Sequence, residues 1–250
     1  MVRFFADPKD FLAKSVKLSD EDSKHIRTLR LRPDERFIVC DGNGNDHVCR
    51  LGERGDGTFA DIIEKLKSTG EPSVACNIFI AFSKGDRLDF AVQKSVELGV
   101  REIILFESDR CVAVPNDIPK KVARLQRIAF ETAKQSGRGI IPKISSGGHY
   151  KSILDEVLNI SALSILFYEC EDRLHIKDVL EQHFPIDKMQ IDDDRPISLI
   201  TGPEGGFEAH EVDLAKSKGI KIVSLGSRVL RSETAPVAAL AAIMYHTGNL

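Results

Sequence analysis

The spacing of apolar residues changes character part-way along the chain. In the first seventy positions they fall in short runs, Val2 to Phe5, Val16 to Leu18, Arg36 to Asp41, His47 to Leu51 and Thr58 to Ile63, which is the pattern of short strands. One helix interrupts them. Ser19-Asp20-Glu21-Asp22 fits a capping box and predicts a helix from Ser19 through His25 to Leu29. Asp41-Gly42-Asn43-Gly44-Asn45, between two apolar runs, predicts a hairpin, because Gly and Asn tolerate the positive φ of tight turns. Together these elements predict a small β-barrel or sheet. Ser68-Thr69-Gly70-Glu71-Pro72-Ser73 then supplies turn residues without periodicity, a boundary that divides the chain into 1–72 and 73–250.

From Val74 onward strands and helices alternate. Strands are expected at Ala75 to Phe82, Ile103 to Phe106, Ile140 to Ile144, Leu163 to Tyr168, Ile197 to Thr201 and Ile220 to Leu225. Helices are expected at Arg87 to Leu98, with Gly99 as its C-cap, and around 119–136, 152–158, 174–182, 208–218 and 235–247. Such alternation predicts an α/β domain with a mostly parallel sheet covered by helices. Ala235, Ala238, Ala239, Ala241 and Ala242 form a small-residue stripe in the last helix, suited to close packing in a core or across a dimer interface.

With 42% hydrophobic residues, a chain of 250 can bury a substantial core. No apolar run approaches the roughly 20 residues of a membrane span, and Asp7 and Lys9 soon follow the opening apolar residues. The expectation is a cytoplasmic protein without a membrane partner. The five cysteines include no CxxC pair, so buried free thiols are expected rather than a metal site or disulfides. The net charge of −3 conceals an asymmetry: between Pro119 and Lys143 seven basic residues face one acid, and Lys24, Arg27, Arg30, Arg32 and Arg36 form a second basic cluster. Glu169 to Asp194 holds nine acids against three bases and restores the balance. Two basic clusters in an acidic chain point to a polyanionic partner.

The chemistry concentrates in two loops. Thr201-Gly202-Pro203-Glu204-Gly205-Gly206-Phe207 joins a strand to a helix, an arrangement that brings backbone N–H groups close to a ligand. Its spacing is neither the dinucleotide G-x-G-x-x-G nor a P-loop, and the next strand ends Ser224-Leu225-Gly226, without the ribose-binding acid of an ordinary dinucleotide site. That strand leads into Leu225-Gly226-Ser227-Arg228-Val229-Leu230-Arg231-Ser232-Glu233-Thr234-Ala235. Two irregular loops at adjacent strand ends suggest one site. His25 and His210 are read as helix-surface residues rather than general bases.

This pair of loops resembles the SPOUT class of methyltransferases, specifically the RsmE-type enzymes that methylate N3 of a uridine in 16S ribosomal RNA. Lys84-Gly85-Asp86-Arg87-Leu88-Asp89-Phe90, Gln93 to Gly99 and Ala133-Lys134-Gln135-Ser136-Gly137-Arg138 are similar to the family's internal motifs. Arg3-Phe4-Phe5 and His25 to Arg32 resemble its N-terminal RNA-binding domain. The resemblance implies a PUA-like β-barrel (1–72) preceding a trefoil-knotted SPOUT methyltransferase domain (73–250), a knot being a rare exception to unthreaded chain topology. It implies S-adenosylmethionine as cofactor, held mainly by backbone groups of Gly202, Glu204, Gly206, Leu225, Gly226 and Leu230, with Leu166 and Phe167 as walls. No metal is implied. Uridine N3 must lose a proton, and Arg231 is the candidate to stabilise the resulting charge on a uracil oxygen. Glu233 is the candidate proton acceptor, or alternatively caps the helix that follows; Arg138 is the candidate to hold phosphate or base. Arg3, Lys24, Arg27, Arg30, Arg32 and Lys134 are the expected RNA contacts. The partners implied are 16S RNA, naked or within the small subunit, and a second copy of the chain in a homodimer. Two other readings stay open: a ribosome-assembly factor with this fold but no turnover, and an α/β enzyme using the glycine loop for another nucleotide.

Overall fold

The computed structural model describes residues 1–52, 59–185 and 195–250. The acidic stretch 187–194 and Thr58, the predicted start of a strand, lie outside the described residues. The chain forms two compact units, Met1–Glu71 with Phe130–Ile141, and Pro72–Ala129 with Pro142–Leu250. The units are therefore not two consecutive stretches: a segment from the middle of the chain belongs with the first.

The first unit contains strands β1 (Arg3–Phe5) and β2 (Ser15–Lys17), helix α1 (Asp20–Leu29), and strands β3 (Phe37–Cys40), β4 (Asn45–Leu51) and β5 (Phe59–Lys67). The sheet runs β1-β3-β4-β5-β2 and is antiparallel except where β1 meets β3. It curls into a barrel-like shape around Phe4, Val16, Ile26, Phe37 and Val39, all at most 2% exposed. Burying a side chain of this size contributes ~1.5–3 kcal/mol. Ser19 caps α1 as predicted, its hydroxyl accepting the Asp22 N–H at 3.0 Å. In the hairpin, the Asp41 carboxylate accepts the Asn43 and Asn45 N–H groups at 2.9 and 3.1 Å, closing the β3–β4 turn.

The second unit contains β6 (Cys76–Ala81), α2 (Arg87–Glu97), β7 (Glu102–Glu107), β8 (Lys143–His149), α4 (Tyr150–Ile160), β9 (Leu163–Phe167), α5 (Ile176–His183), β10 (Ile197–Thr201), α6 (Ala209–Ser217), β11 (Lys221–Val223) and α7 (Thr234–His246), while α3 (Ile118–Ser136) begins in it and ends in the first. Its six strands are all parallel, in the order β11-β9-β10-β6-β7-β8. The central strands β6 and β10 are buried at every position, as expected for strands covered on both faces. The polar side chains of β10 are satisfied: Ser161 Oγ donates to Ser198 Oγ at 2.6 Å, and Thr201 Oγ1 donates to the Phe79 carbonyl at 3.4 Å.

The largest departure from the expected elements is β8, predicted at 140–144 and found at Lys143–His149. Its Ser-Ser-Gly-Gly sequence reads as a loop, but β8 is an edge strand pairing only with β7, so its polar side chains remain solvated. A bulge at Gly147 accommodates the mismatch; a Cβ there would lie 2.6 Å from an Ile153 methyl. All five cysteines are free, and burial pushes the Cys40, Cys49 and Cys76 thiols up to about 12, far from the reactive range.

Candidate active site

Because the second sheet is wholly parallel, every strand in it delivers its outgoing loop to the same edge. β10 inserts between β6 and β9, so the direction of strand succession reverses beside it, the position where open α/β sheets bind ligands. A cavity of about 440 Å³ lies at this edge, lined by Arg87 at the start of α2 and by the ends of β9, β10 and β11 with the loops that follow them. That volume suits a small-molecule ligand. The two unusual loops are not on neighbouring strands, as the sequence suggested: β9 lies between β10 and β11 and contributes Phe167, Tyr168 and Glu169 to the wall.

The loop after β10 is fixed from several sides. Phe207, 1% exposed, anchors it in the core beside Tyr150, with ring centroids 5.5 Å apart. A Cβ at Gly202 would stand 3.1 Å from the Phe207 ring, so any larger residue there would press on this anchor. The Gly206 N–H donates to the Pro203 carbonyl at 3.0 Å, closing a turn, and Gly206 sits at φ +70°, where a β-branched residue is strained. On the outer side Arg110 donates through Nε and Nη2 to the two Glu208 carboxylate oxygens at 2.7 and 3.0 Å, and through Nη1 to the Gly205 carbonyl at 2.8 Å. Glu204 Oε1 accepts the Lys84 N–H at 2.8 Å and a hydrogen bond from Arg87. Burial pushes the Glu204 carboxyl up, but hydrogen bonds from the Lys84 and Glu204 N–H groups and the Arg87 guanidinium outweigh it and hold it below the usual carboxylate range.

The loop after β11 has fewer ties. The Gly226 N–H donates to Ser224 Oγ at 3.2 Å, and the Arg231 carbonyl accepts the Thr234 and Ala235 N–H groups at 2.9 and 3.0 Å, turning the chain into α7. Between these points Val229 is 81% exposed, and Arg228 and Arg231 are exposed with no paired carboxylate among the described residues. Glu233 occupies the N-cap position of α7 without a side-chain capping bond; it accepts the Ser232 hydroxyl at 3.3 Å and lies 3.5 Å from Arg87 Nε.

Most of the predicted cofactor residues meet at the cavity: Gly202, Glu204 and Gly206 on the first loop, Leu225, Gly226 and Leu230 on the second, and Phe167 at the end of β9. Leu166 does not. Strand alternation turns it away from Phe167 into the core, where it is fully buried. Arg231 and Glu233 line the cavity. Arg138 belongs to the first unit, is 3% exposed, and donates from Nη2 to Glu71 Oε2 at 2.6 Å, so it is an internal ion pair and not an open phosphate-binding cation. Arg3 is likewise committed, forking onto both Asp46 oxygens at 2.8 Å. Lys134 pairs with Asp22 at 2.9 Å and lies 5.1 Å from the Phe4 ring centroid. Lys24, Arg27, Arg30 and Arg32 are exposed on α1 and the turn after it. His25 and His210 are exposed, His210 beside Asp109 at 2.9 Å.

Sequence reasoning gave no role to Arg87, Tyr168, Glu169 or Arg228, all of which line the cavity. The signal for Glu169 was present: an acid just past the end of β9, the strand that precedes β10 in the chain and pairs with it in the sheet. Among the described residues no three His, Cys, Asp or Glu side chains are grouped as metal ligands, and no helix is long and apolar enough to cross a membrane.

Two family models match the chain, an RNA methyltransferase domain over residues 70–244 and an RNA methyltransferase PUA domain over 18–63. The chain is 33% identical to a ribosomal RNA small subunit methyltransferase E of Mesomycoplasma hyopneumoniae, covering 95% of this chain and 96% of that protein. It is 28% identical to the protein of the same name from Bacillus subtilis, over 94% and 91% of the two chains. Among solved structures it resembles the small subunit methyltransferase E of Neisseria gonorrhoeae bound to S-adenosylmethionine, with a TM-score of 0.77, 31% identity, and 98% and 97% of the two chains covered.

Proposed function

Because this chain belongs to the RNA methyltransferase family, we propose that it transfers a methyl group from S-adenosylmethionine to N3 of a uridine in 16S ribosomal RNA. The observation that carries this reading is the cavity, where both loops that set the sequence apart converge with the end of β9. Its walls fit the cofactor: backbone of Gly202, Gly206 and Gly226 for polar edges, Leu225 and Leu230 for an apolar ring face, and the Glu169 and Glu204 carboxylates for hydroxyl or ammonium groups. When bound, the cofactor supplies an electrophilic methyl on a cationic sulfonium.

The chain's own residues then have to bind, orient and stabilise charge. Arg231 is exposed at the cavity and has no carboxylate partner among the described residues, so its planar donors can face a uracil oxygen as the ring loses its N3 proton. Glu233 is engaged by Arg87 and Ser232, which favours a holding role over proton transfer. Cations on α1 and its C-terminal turn, Lys24, Arg27, Arg30 and Arg32, bind the RNA backbone, with the target uridine splayed from its stack to reach a pocket. The homodimer is supported by the half-buried Ala238, Ala241 and Ala242 beside Tyr245, 75% exposed, along α7. The trefoil knot is supported by the insertion of β10 between β9 and β6 and the return of α7 onto both β10 and β6. Ribosomal RNA as substrate makes the cytoplasm the location.

Incubating the protein with S-adenosylmethionine and either 16S RNA or small subunits, then analysing nucleosides by mass spectrometry, tests the reading. N3-methyluridine is expected. RNA binding without methyl transfer would point to an assembly factor, and failure to bind the cofactor would point to another nucleotide. RNA affinity should fall with salt, each lost phosphate contact in an Arg30→Ala/Arg32→Ala variant flattening the log–log slope by roughly 0.7.

A further inference from the structure

Arg87 is the first residue of α2, and its guanidinium reaches two carboxylates on two different loops. Nη1 donates to Glu204 Oε1 on the loop after β10, and Nε lies 3.5 Å from Glu233 Oε2 on the loop after β11. The Lys84 N–H, three residues earlier, donates to the same Glu204 oxygen at 2.8 Å. The loop after β6 thus grips the cradle holding Gly202 and Gly206 at one point and reaches the Arg231-bearing segment at a second. The 225–233 segment otherwise depends on local turns and on its junctions with β11 and α7.

We propose that Arg87 is a positioning residue for methyl transfer: it sets the separation between the Gly202–Gly206 cradle and the loop that carries Arg231. The proposal rests on the methyltransferase reading above. The chemistry favours arginine in this role, because one planar, permanently charged fork can address two carboxylates in different directions, whereas a lysine ammonium is a point charge on a flexible stem. Glu204 remains ionised, because its hydrogen bonds hold it below the usual carboxylate range, so the pairing persists at neutral pH. Positioning is sensitive to small displacement: an ångström of misplacement between reacting groups costs on the order of 10²-fold in rate. Arg87 is also only partly exposed, with 38% of its side-chain surface open, so the interaction lies at the rim of the cavity and not on a freely solvated face.

The test compares Arg87→Ala, Arg87→Lys, Glu233→Gln and the double variant Arg87→Ala/Glu233→Gln with wild type. The measurements are melting temperature, cofactor affinity by calorimetry, single-turnover methylation at saturating cofactor and RNA, and amide hydrogen exchange of residues 225–233 without cofactor. In Arg87→Ala, exchange in 225–233 should accelerate at least about tenfold while the β6–β10 core stays protected. The single-turnover rate should fall roughly 10²-fold with a smaller change in cofactor affinity. Arg87→Lys should restore the melting temperature more than the rate, and the double variant should be no slower than Arg87→Ala alone. Unchanged exchange in 225–233, additive rate losses, or a rate loss that merely follows the melting temperature would overturn the assignment. Should Arg87→Ala fail to fold, Glu233→Gln, which leaves the Glu204 contact in place, provides the same exchange and rate readouts. A wild-type protein that neither binds cofactor nor methylates would instead sink the methyltransferase reading, and the exchange arm would still decide whether Arg87 ties the loops.

Discussion

The two loops at the cavity are built on opposite plans. The one after β10 is pinned inward by Phe207, turned by the Gly206 N–H, clasped outside by Arg110 and held at Glu204 by Lys84 and Arg87. The one after β11 leaves Arg228, Val229 and Arg231 exposed, with its bonds concentrated at its two ends. A rigid cradle suits recognition of a bound cofactor, because its binding surface needs no ordering when the ligand arrives. A loop whose exposed cations have no carboxylate partner among the described residues suits a second, larger substrate that completes the site on arrival. The difference teaches that the glycines and the arginines in these motifs do separate work: the first shape a surface, and the second present charge from one.

If that division holds, the largest effect should come from the exposed loop and appear in rate alone. Arg231→Ala should preserve melting temperature and cofactor affinity but lower the single-turnover rate by roughly 10²–10³-fold, the scale of losing one preorganised donor. Arg231→Lys should recover little of it. A near-normal rate, or a loss that follows unfolding, would remove the charge-stabilising role. The next largest effect should come from the cradle and appear in affinity. Gly206→Val forces a β-branched residue to φ +70°, a strain of about 1–3 kcal/mol, which predicts a roughly 10–100-fold weaker cofactor if the loop distorts to relieve it. The Glu169 carboxylate that a Cβ would strike is exposed and can swing aside, so the backbone angle is the main obstacle. Calorimetry giving wild-type affinity would mean that the cofactor does not depend on this loop.

The same contrast explains what could be read from the chain. β10 was legible to the residue, because the short, mostly apolar run Ile197-Ser198-Leu199-Ile200-Thr201 lies between Pro196 and the glycine loop. The loops were legible as motifs, and most of their predicted residues line the cavity. Arginine roles were not, since motif context does not say where a guanidinium points: Arg138 and Arg3 face internal carboxylates, whereas Arg231 faces the cavity. Arg87 lies within the Lys84-to-Phe90 motif, but its two partners lie 117 and 146 positions along the chain and only the strand order brings them together. The segment 130–141 was invisible as part of the first unit for the same reason. Its links there include Glu71, which accepts the Gly139 and Ile140 N–H groups at 2.9 and 3.0 Å, and no local pattern announces such a pairing.

A smaller effect separates the cradle's inner supports from its outer clasp. Arg110 reaches the Gly205 carbonyl and Glu208 from solvent, where ion pairs contribute little. Arg110→Ala should therefore change cofactor affinity by no more than a few-fold, with a weak dependence on salt. A loss comparable to that of Gly206→Val would show that the loop is held from outside and would undo the distinction between packing and clasp.

The smallest effect expected concerns the charge of Glu204, and it sharpens the comparison through pH. The Glu204 carboxyl lies below its ordinary value of 4.5, because the hydrogen bonds from Lys84, its own N–H and Arg87 outweigh the upward push of burial. A carboxyl depressed in the folded state stabilises that state fully above its unfolded value, and the contribution fades as pH falls through the folded one. Between about pH 6 and 8 the melting temperature and cofactor affinity should show no step from this group, and a decline belonging to it should begin only below 4.5. Glu204→Gln keeps the shape and the acceptor oxygen but not the charge. It should lower the neutral-pH affinity a few-fold and shrink the low-pH decline relative to wild type. If the wild-type decline instead begins well above 4.5, burial outweighs the hydrogen bonds, Glu204 is protonated before the cradle opens, and the loop after β10 is held by packing rather than by its ion pair with Arg87.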